Sequence, residues 1–452
     1  MIHRTADQNA RRIGRFPVFS GNDIGGEGDR YLSDNRNPVV SIFKADVVII
    51  GAGPAGLFCA IHAAKAGSRV IVLEKNKTPG AKLLLSGTGQ CNLTHDGDIR
   101  QFVSHYGSHG RFIRPALMSF TNTSLAEFFI SRGLPMMTEE NGKVFPRTRC
   151  SEDVLAVLVE ECKKQGVDIR YSEQATGIVR NGRSFTVTTD KAEYASSVLA
   201  ITTGGASFPK CGTTGDGYRL ASALGQPVTD IGPALTPLII RPFPFADLSG
   251  MSFESLRFSV WRDGKKAGSY SGDVLFTHNG LSGPGILDAS RSIRPGDEIR
   301  LSFVGPLRRD EFAAEIKERA SENPGWHVGT ILAKYPVPER LNRVLLRLSG
   351  IPDRLTCAHF SAEMRSRLIA SCTEFPLVVT ALGDFDIAMA TRGGIALEPV
   401  SPKTMESKVV PGLFFAGEVL DIDGDTGGYN LQAAFSTGYL AAQGIRKRLQ
   451  MD

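Results

Sequence analysis

The spacing of apolar positions changes character along the chain. An unbroken run, Val47-Val48-Ile49-Ile50, reads as a strand buried on both faces. It enters Gly51-Ala52-Gly53-Pro54-Ala55-Gly56 and then a slim helical stretch carrying Ala60, Ala63, Ala64 and Ala66, with Gly67 where a helix-ending glycine belongs. A second run, Val70-Ile71-Val72-Leu73, follows and ends at Glu74. Helical periods are expected over residues 114–132 and 151–165, the latter with Ser151 as N-cap and Glu152 and Asp153 in its first turn. Strands are expected over 167–171, 175–180, 184–189 and 197–202, with Asn181-Gly182 turning a hairpin.

Past residue 208 the pattern shifts. Pro227, Pro233, Pro237, Pro242 and Pro244 separate short alternating strands near 258–261, 273–276 and 298–303, the pattern of a small antiparallel barrel or sandwich. Residues 308–369 have a helical period, clearest over 310–320, 339–348 and 361–370. Strands return at 377–380 and 385–390, and a short apolar strand ends in Gly417-Glu418 before a final helix over 430–449. Residues 1–44 follow neither period and read as an exposed or disordered extension. The fold class is therefore α/β. A Rossmann-like domain split in sequence (45–206 and 384–452) is interrupted by an inserted antiparallel β-barrel domain (207–307 and 371–383) and a small helical subdomain (308–370).

Strand, glycine turn, helix, strand and acid form the layout of a dinucleotide-binding unit. Gly51 permits the tight turn, Gly53 lets backbone approach a pyrophosphate at the helix N-terminus beside Pro54, and Gly56 lets helix and strand pack closely. Glu74 lies where a carboxylate accepts ribose hydroxyls and repels a 2′-phosphate, which favours FAD or NAD over NADP. The later Gly417-Glu418 narrows this to FAD. It resembles the way FAD folds of the glutathione-reductase type close their cofactor site, which NAD-only domains do not need. Asp423-Gly424-Asp425-Thr426-Gly427-Gly428 then opens into the final helix, whose free N–H groups suit the anionic edge of a reduced flavin.

Length, charge and cysteines narrow the class. A chain of 452 residues needs two or three cores. A formal net charge of +5, with 52 basic and 47 acidic residues dispersed among one another, does not suggest a nucleic-acid partner. His62 and Lys65 interrupt the most apolar stretch, so no membrane span is expected. Seven cysteines without a C-x-x-C pair fit a reducing compartment, and a cytoplasmic location is expected. No metal-ligand spacing appears.

The segments GAGPAG, KLLLSGTGQCNLT, TTGGASFPKCGTTGDGY, FTHNGLSGPGILDAS, TRGGIALEPVSPKTMESK and GLFFAGEVLDIDGDTGGYNLQAAFSTG resemble the signature blocks of bacterial flavoproteins of the aminoacetone oxidase / 3-dehydro-bile-acid reductase type. The likeness runs from about Ala45 to Gly444. It implies tightly but non-covalently bound FAD. It also implies that Gly51, Gly53, Ala55, Gly56, Glu74, Lys75 and Lys82 serve the ADP end, that Gly87, Gly89, Gln90, Cys91 and Asn92 pass the pyrophosphate and flavin, and that Ala175 offers backbone to adenine. Gly204 joins the cofactor set, and Gly417, Glu418, Gly428, Asn430 and Leu431 close the site. Two departures stand out: Gln226 where a histidine is expected, and Gly87-Thr88-Gly89-Gln90 where a third glycine and a basic residue are common.

The implied activity is hydride transfer between flavin N5 and a small organic substrate, either amine oxidation or reduction of a conjugated double bond, with NAD(P)H as a transient co-substrate. An FAD-dependent RNA-modifying protein and a non-catalytic redox sensor are the alternatives. No catalytic acid, base or nucleophile declares itself. Cys91 reads as a packed or flavin-contacting thiol, His278 as a turn histidine and His62 as structural. Leu281-Ser282-Gly283-Pro284-Gly285 imitates a second nucleotide turn but is read as lacking a following helix, strand and acid.

Overall fold

The computed structural model describes residues 41–64 and 67–451. Residues 1–40, most of the expected extension, and Lys65 and Ala66 lie outside them. The first strand, Ile42–Ile50, already includes residues 42–44 of the expected extension.

The first sheet has seven strands. Asp168–Arg170, Val70–Leu73, Ile42–Ile50 and Glu193–Ile201 run parallel in that order, and the hairpin Ser184–Thr189 with Ala175–Asn181 adds antiparallel strands beyond. One edge is shared. Residues 193–196 pair with the hairpin, whereas Leu199, Ala200 and Ile201 pair with Leu413, Phe414 and Phe415. Sequence-distant Leu413–Phe415 thus takes over where the hairpin peels away, beside the glycine turn. Val47, Val48 and Ile49 are fully buried, as their unbroken apolar run requires.

The first helix, Pro54–Ala64, packs on the last, Tyr429–Leu449. Small residues permit the approach: a Cβ on Gly438 would stand 2.6 Å from the Ala55 carbonyl oxygen. Beyond the small residues, Phe58 meets the Phe435 ring edge-on at 5.1 Å, adding aromatic contact to buried area. Gly67 adopts φ +79 and donates to the Ala64 carbonyl, as a helix-ending glycine should.

The second large sheet is antiparallel, in the order Phe375–Val378, Glu298–Ser302, Ser252–Arg262, Lys265–Phe276, Gly280–Ser282, Leu238–Ile239, Ala381–Leu382. It is not a closed barrel. Its two edge strands are not hydrogen-bonded to one another; they are consecutive in the chain, joined by Val379 and Thr380, whose N–H groups bond to Asp297 on one side and Ile239 on the other. Helices Arg309–Glu322, Val328–Leu332, Glu339–Leu348 and Ala362–Thr373 share one core with this sheet, through Phe312, Ile316, Leu345 and Leu368 packed in the same cluster as Phe258 and Phe276.

Other differences are local. The expected helix over 114–132 is two, Gly110–Ser119 and Asn122–Ile130, because extended Phe120 and Thr121 intervene and Thr121 caps the second by accepting from Ser124 N. Ser151 is the first helical residue rather than the cap, its hydroxyl donating instead to the Leu84 carbonyl. A short helix, Pro284–Ser290, does follow the Gly283 turn, contrary to expectation. The strands beside it are antiparallel, so no βαβ unit results. Instead of a strand over 385–390, Ala390–Arg392 pairs with Gly232–Ala234.

Candidate functional site

The parallel strands Ile42–Ile50 and Glu193–Ile201 end side by side, and the residues singled out above gather beyond those ends. Gly51 has φ +105, and a Cβ there would lie 2.8 Å from the Thr202 carbonyl oxygen, so only glycine makes this turn. A Cβ on Gly56 would collide with the Gly51 carbonyl oxygen, which explains the close seat of the helix. Gly53 faces open space. With Pro54 at the first helical position, the N–H groups of Ala55 and Gly56 lack intrahelical acceptors and remain at the positive end of the helix.

Glu74, at 7 % exposure, accepts from Ala52 N at 2.9 Å and Asn76 N at 2.8 Å, one bond on each oxygen. Each oxygen keeps a lone pair for a further donor. Lys75 turns away to Asp216 (2.6 Å) and Thr214 (2.7 Å), and Asn76 donates to the Cys211 carbonyl, so the 209–217 segment is tied down beside Glu74. Lys82 reaches across to Glu418, 2.9 and 2.7 Å from its two oxygens, and Thr391 N donates to the same carboxylate at 2.8 Å. Gly417 (φ +77), just before this acid, lies against Ala55, and Gly204 (φ +74) leaves the neighbouring strand end.

The segment after Lys82 is unusual in backbone. Gly87, Thr88, Gly89 and Cys91 all have φ between +55 and +86. The Cys91 side chain is buried and burial pushes its thiol up to about 12, so it is inert packing and only its backbone can border the site. Gln90 is not cationic, yet Arg149 donates to its Oε1 at 3.1 Å while pairing with Glu139 and lying over the Phe145 ring. A positive charge therefore stands beside position 90 although the sequence there lacks one. Asn92, with its amide nitrogen facing the Thr94 carbonyl, accepts from Gly428 N at 3.2 Å and ties this segment to the start of the last helix.

Gly427 and Gly428 have φ +111 and +100, and a Cβ on Gly428 would lie 2.5 Å from the Thr94 carbonyl. Asn430 does not point outward as a free ligand: its amide donates to the Gly424 carbonyl at 2.9 Å and accepts Gly424 N at 2.8 Å, closing the loop on itself. Leu431 is half-buried in the first turn, and Ala175 is buried at the start of the hairpin, at the far side of the sheet. Gln226, the other departure, keeps a buried contact by accepting from Ser407 Oγ at 2.8 Å. His278 is exposed, and His62 is buried edge-on to Phe58 and Tyr439.

Sequence reasoning missed a second group on the same loop. Arg291 and Asp288 reach it from beside the second sheet, and His105 pairs with Asp425 at 2.9 Å. The Tyr429 ring is stacked between His105 (4.0 Å) and His95 (5.4 Å). Burial raises the Asp288 carboxyl to about 6, opposed by Thr426 N–H and helped by nearby Asp425. Single polar residues on an unremarkable helix carry no local signal; only the fold brings them here. Among the described residues no His, Cys, Asp or Glu cluster could hold a metal, and no helix is long and apolar enough to cross a membrane.

Residues 45–444 match the family described as "HI0933-like protein Rossmann domain". A Haemophilus influenzae protein named "Ribosomal RNA dihydrouridine synthase" is 31% identical over 408 residues, covering 89% of this chain and 98% of its own. An Escherichia coli protein of the same name is 29% identical over 405 residues with the same coverage. A "3-dehydro-bile acid delta(4,6)-reductase" from Clostridium scindens is 28% identical over 408 residues, covering 88% of this chain and 98% of its own.

Proposed function

This chain belongs to the HI0933-like FAD-binding Rossmann family and is an FAD-dependent oxidoreductase, and from that premise we propose that it reduces a carbon–carbon double bond conjugated to a carbonyl. The carrying observation is that relatives matched over 98% of their length, though named for unlike substrates, share that bond change. Dihydrouridine is uridine with its ring double bond reduced, and a delta(4,6)-reductase acts on the double bonds of an unsaturated ketone. Amine oxidation lacks such support among these relatives.

The residues present fit the cofactor. Gly53 leaves open the approach that a pyrophosphate needs, the free Ala55 and Gly56 N–H groups face that space, and Glu74 keeps acceptor capacity for ribose hydroxyls. We assign Gly51, Gly53, Pro54, Ala55, Gly56, Glu74, Lys82, Ala175 and, through its backbone, Lys75 to the ADP end and turn. Gly87, Gly89, Gln90, Cys91 and Asn92 (Gln90 through its side chain, Cys91 through backbone), with Gly204, Gly417, Glu418, Gly428, Asn430 and Leu431, border the remainder. FAD, when bound, supplies hydride chemistry at N5. The chain's own part is to orient it, exclude water and place donors near the developing negative charge.

A reduced nicotinamide nucleotide, if it is the reductant, binds transiently and without a βαβ unit of its own, since no second such unit occurs among the described residues. The FAD-binding part is assigned to 45–206 and 384–452, with a rolled, barrel-like insert over 207–307 and 371–383 and helices over 308–370.

The substrate carrying the bond is a small enone or a uracil within ribosomal RNA. The second reading is favoured by the two relatives named for ribosomal RNA. The test is to photoreduce the holoprotein without oxygen, mix it separately with an unsaturated ketosteroid and with unmodified ribosomal RNA, and follow flavin reoxidation. Reoxidation with a product two mass units heavier supports the reduction; reoxidation by oxygen alone overturns it.

A further inference from the structure

We propose that Arg291 is a positioning residue of the cofactor site, holding the 423–428 loop and the start of the last helix from across the junction with the second sheet. This rests on the reading above that the loop borders the flavin. Arg291 directly follows the helix Pro284–Ser290, which packs on strands Lys265–Phe276 and Gly280–Ser282. Its side chain is 15% exposed and enters the loop of the other part. Nε donates to Asp423 Oδ2 at 2.5 Å, Nη2 to the Asp423 carbonyl at 2.6 Å, and Nη1 to the His105 carbonyl at 3.1 Å and also to Asp425 Oδ1.

Asp288 on the same helix accepts Thr426 N at 2.6 Å and Thr426 Oγ1 at 3.3 Å. Loop positions 423, 425 and 426 are therefore all gripped by residues 288 and 291. Gly427 and Gly428 follow at once, so where Thr426 is held fixes where the free N–H groups of the last helix begin. The guanidinium is suited to this because it bonds in three directions while neutralising two carboxylates, one of them only 9% exposed. Lysine offers charge without the fork. Gluing two parts together would need neither the glycine pair beyond the clamp nor contact with three residues of one short loop, 423, 425 and 426.

The test uses FAD-loaded Arg291→Gln and Arg291→Lys, with Asp288→Ala should Arg291→Gln fail to fold. FAD occupancy is expected near wild type, because the Gly51 turn and Glu74 are untouched. Amide exchange over 423–430 should rise at least tenfold. The preference for reduced over oxidised flavin should fall about tenfold, a potential about 30 mV lower for a two-electron couple, with lysine intermediate. Faster exchange with an unchanged potential would overturn the proposal and leave Arg291 as a mere junction contact; no change in either would overturn it outright. Gly428→Val separates the two layers of inference. A potential that moves in Gly428→Val but not in Arg291→Gln sinks this proposal alone, whereas one that moves in neither also removes the flavin from this loop.

Discussion

Gly417 lies against Ala55: a Cβ on the glycine would stand 2.7 Å from the alanine Cβ, although the two residues come from opposite ends of the split domain. That contact places Glu418 at the mouth of the first glycine turn. It is the physical reason why a Gly-Glu pair so far along the chain belongs with the Gly51 motif.

Glu74→Gln should lower FAD occupancy and stability together. The carboxylate accepts two backbone N–H groups as well as the proposed ribose hydroxyls, and the amide nitrogen would face one donor. A loss of about 1–3 kcal/mol is expected for the charge-assisted bonds. Flavin per chain after gel filtration and urea unfolding check it; undiminished flavin would make Glu74 a purely structural acid.

Gly428→Val combines a disfavoured φ of +100 with a Cβ contact 2.5 Å from the Thr94 carbonyl. The helix start must shift, removing a dipole contribution of about 1–2 kcal/mol from reduced flavin. Spectroelectrochemistry should give a lower potential by about 20–40 mV on the scale where 30 mV equals about 1.4 kcal/mol, with FAD still bound.

Thr88→Gly should stabilise. A β-branched residue at φ +55 is strained by about 1–2 kcal/mol, partly offset in the variant by the greater freedom of unfolded glycine. A net gain of about 0.5–1 kcal/mol is expected in thermal unfolding; a loss would mean that the Thr88 hydroxyl bond to the Gly87 carbonyl, at 2.7 Å, outweighs the strain.

Asp288 gives a pH signature. Its folded carboxyl titrates near 6 against an ordinary 3.8, so the folded state binds the proton more tightly and its contribution to stability falls as pH rises from about 4 to about 6. The full difference is up to about 3 kcal/mol. Asp288→Asn lacks this titration, so its stability relative to wild type should rise across that window and level off above it, as measured by urea unfolding at pH 4 to 7.

Limited proteolysis should cut first near 304–309, between the second sheet and its helices, and leave the fragments associated with FAD bound. The 209–217 segment is pinned by Lys75 and Asn76 and should resist. Flavin loss at the first cut would refute the assignment of the cofactor to the split domain.

Features written locally were legible in the sequence: the Gly51 turn, the hairpin around Gly182 (whose turn is Gly182-Arg183, one residue later than the expected Asn181-Gly182, because Asn181 still pairs with Ser184) and the helix Glu339–Leu348 each depend on residues a few positions apart. What spans the fold was not. Nothing near Gln90 announces that Arg149 will stand beside it, and nothing in Ile286-Leu287-Asp288 announces a partner at Thr426. The barrel reading followed from alternation in each strand, but closure depends on whether edge strands pair, which alternation does not encode. The break at Phe120 was readable from Thr121 and Ser124, an N-cap pair masked by apolar residues on either side.

The shared edge of Glu193–Ile201 also orders events at the ribosome. Ile201 can pair with its final neighbour only after Phe415 has emerged, and Ala55 meets its packing partner only once Gly438 has followed. The intervening antiparallel sheet, assembled largely from near-sequence pairings apart from its Phe375–Leu382 edges, has every strand available before then. Vectorial synthesis thus presents every strand of the second sheet first, while residues 199–201 keep an unpaired strand edge until Leu413–Phe415 emerges, an edge open to pairing with other chains in that interval.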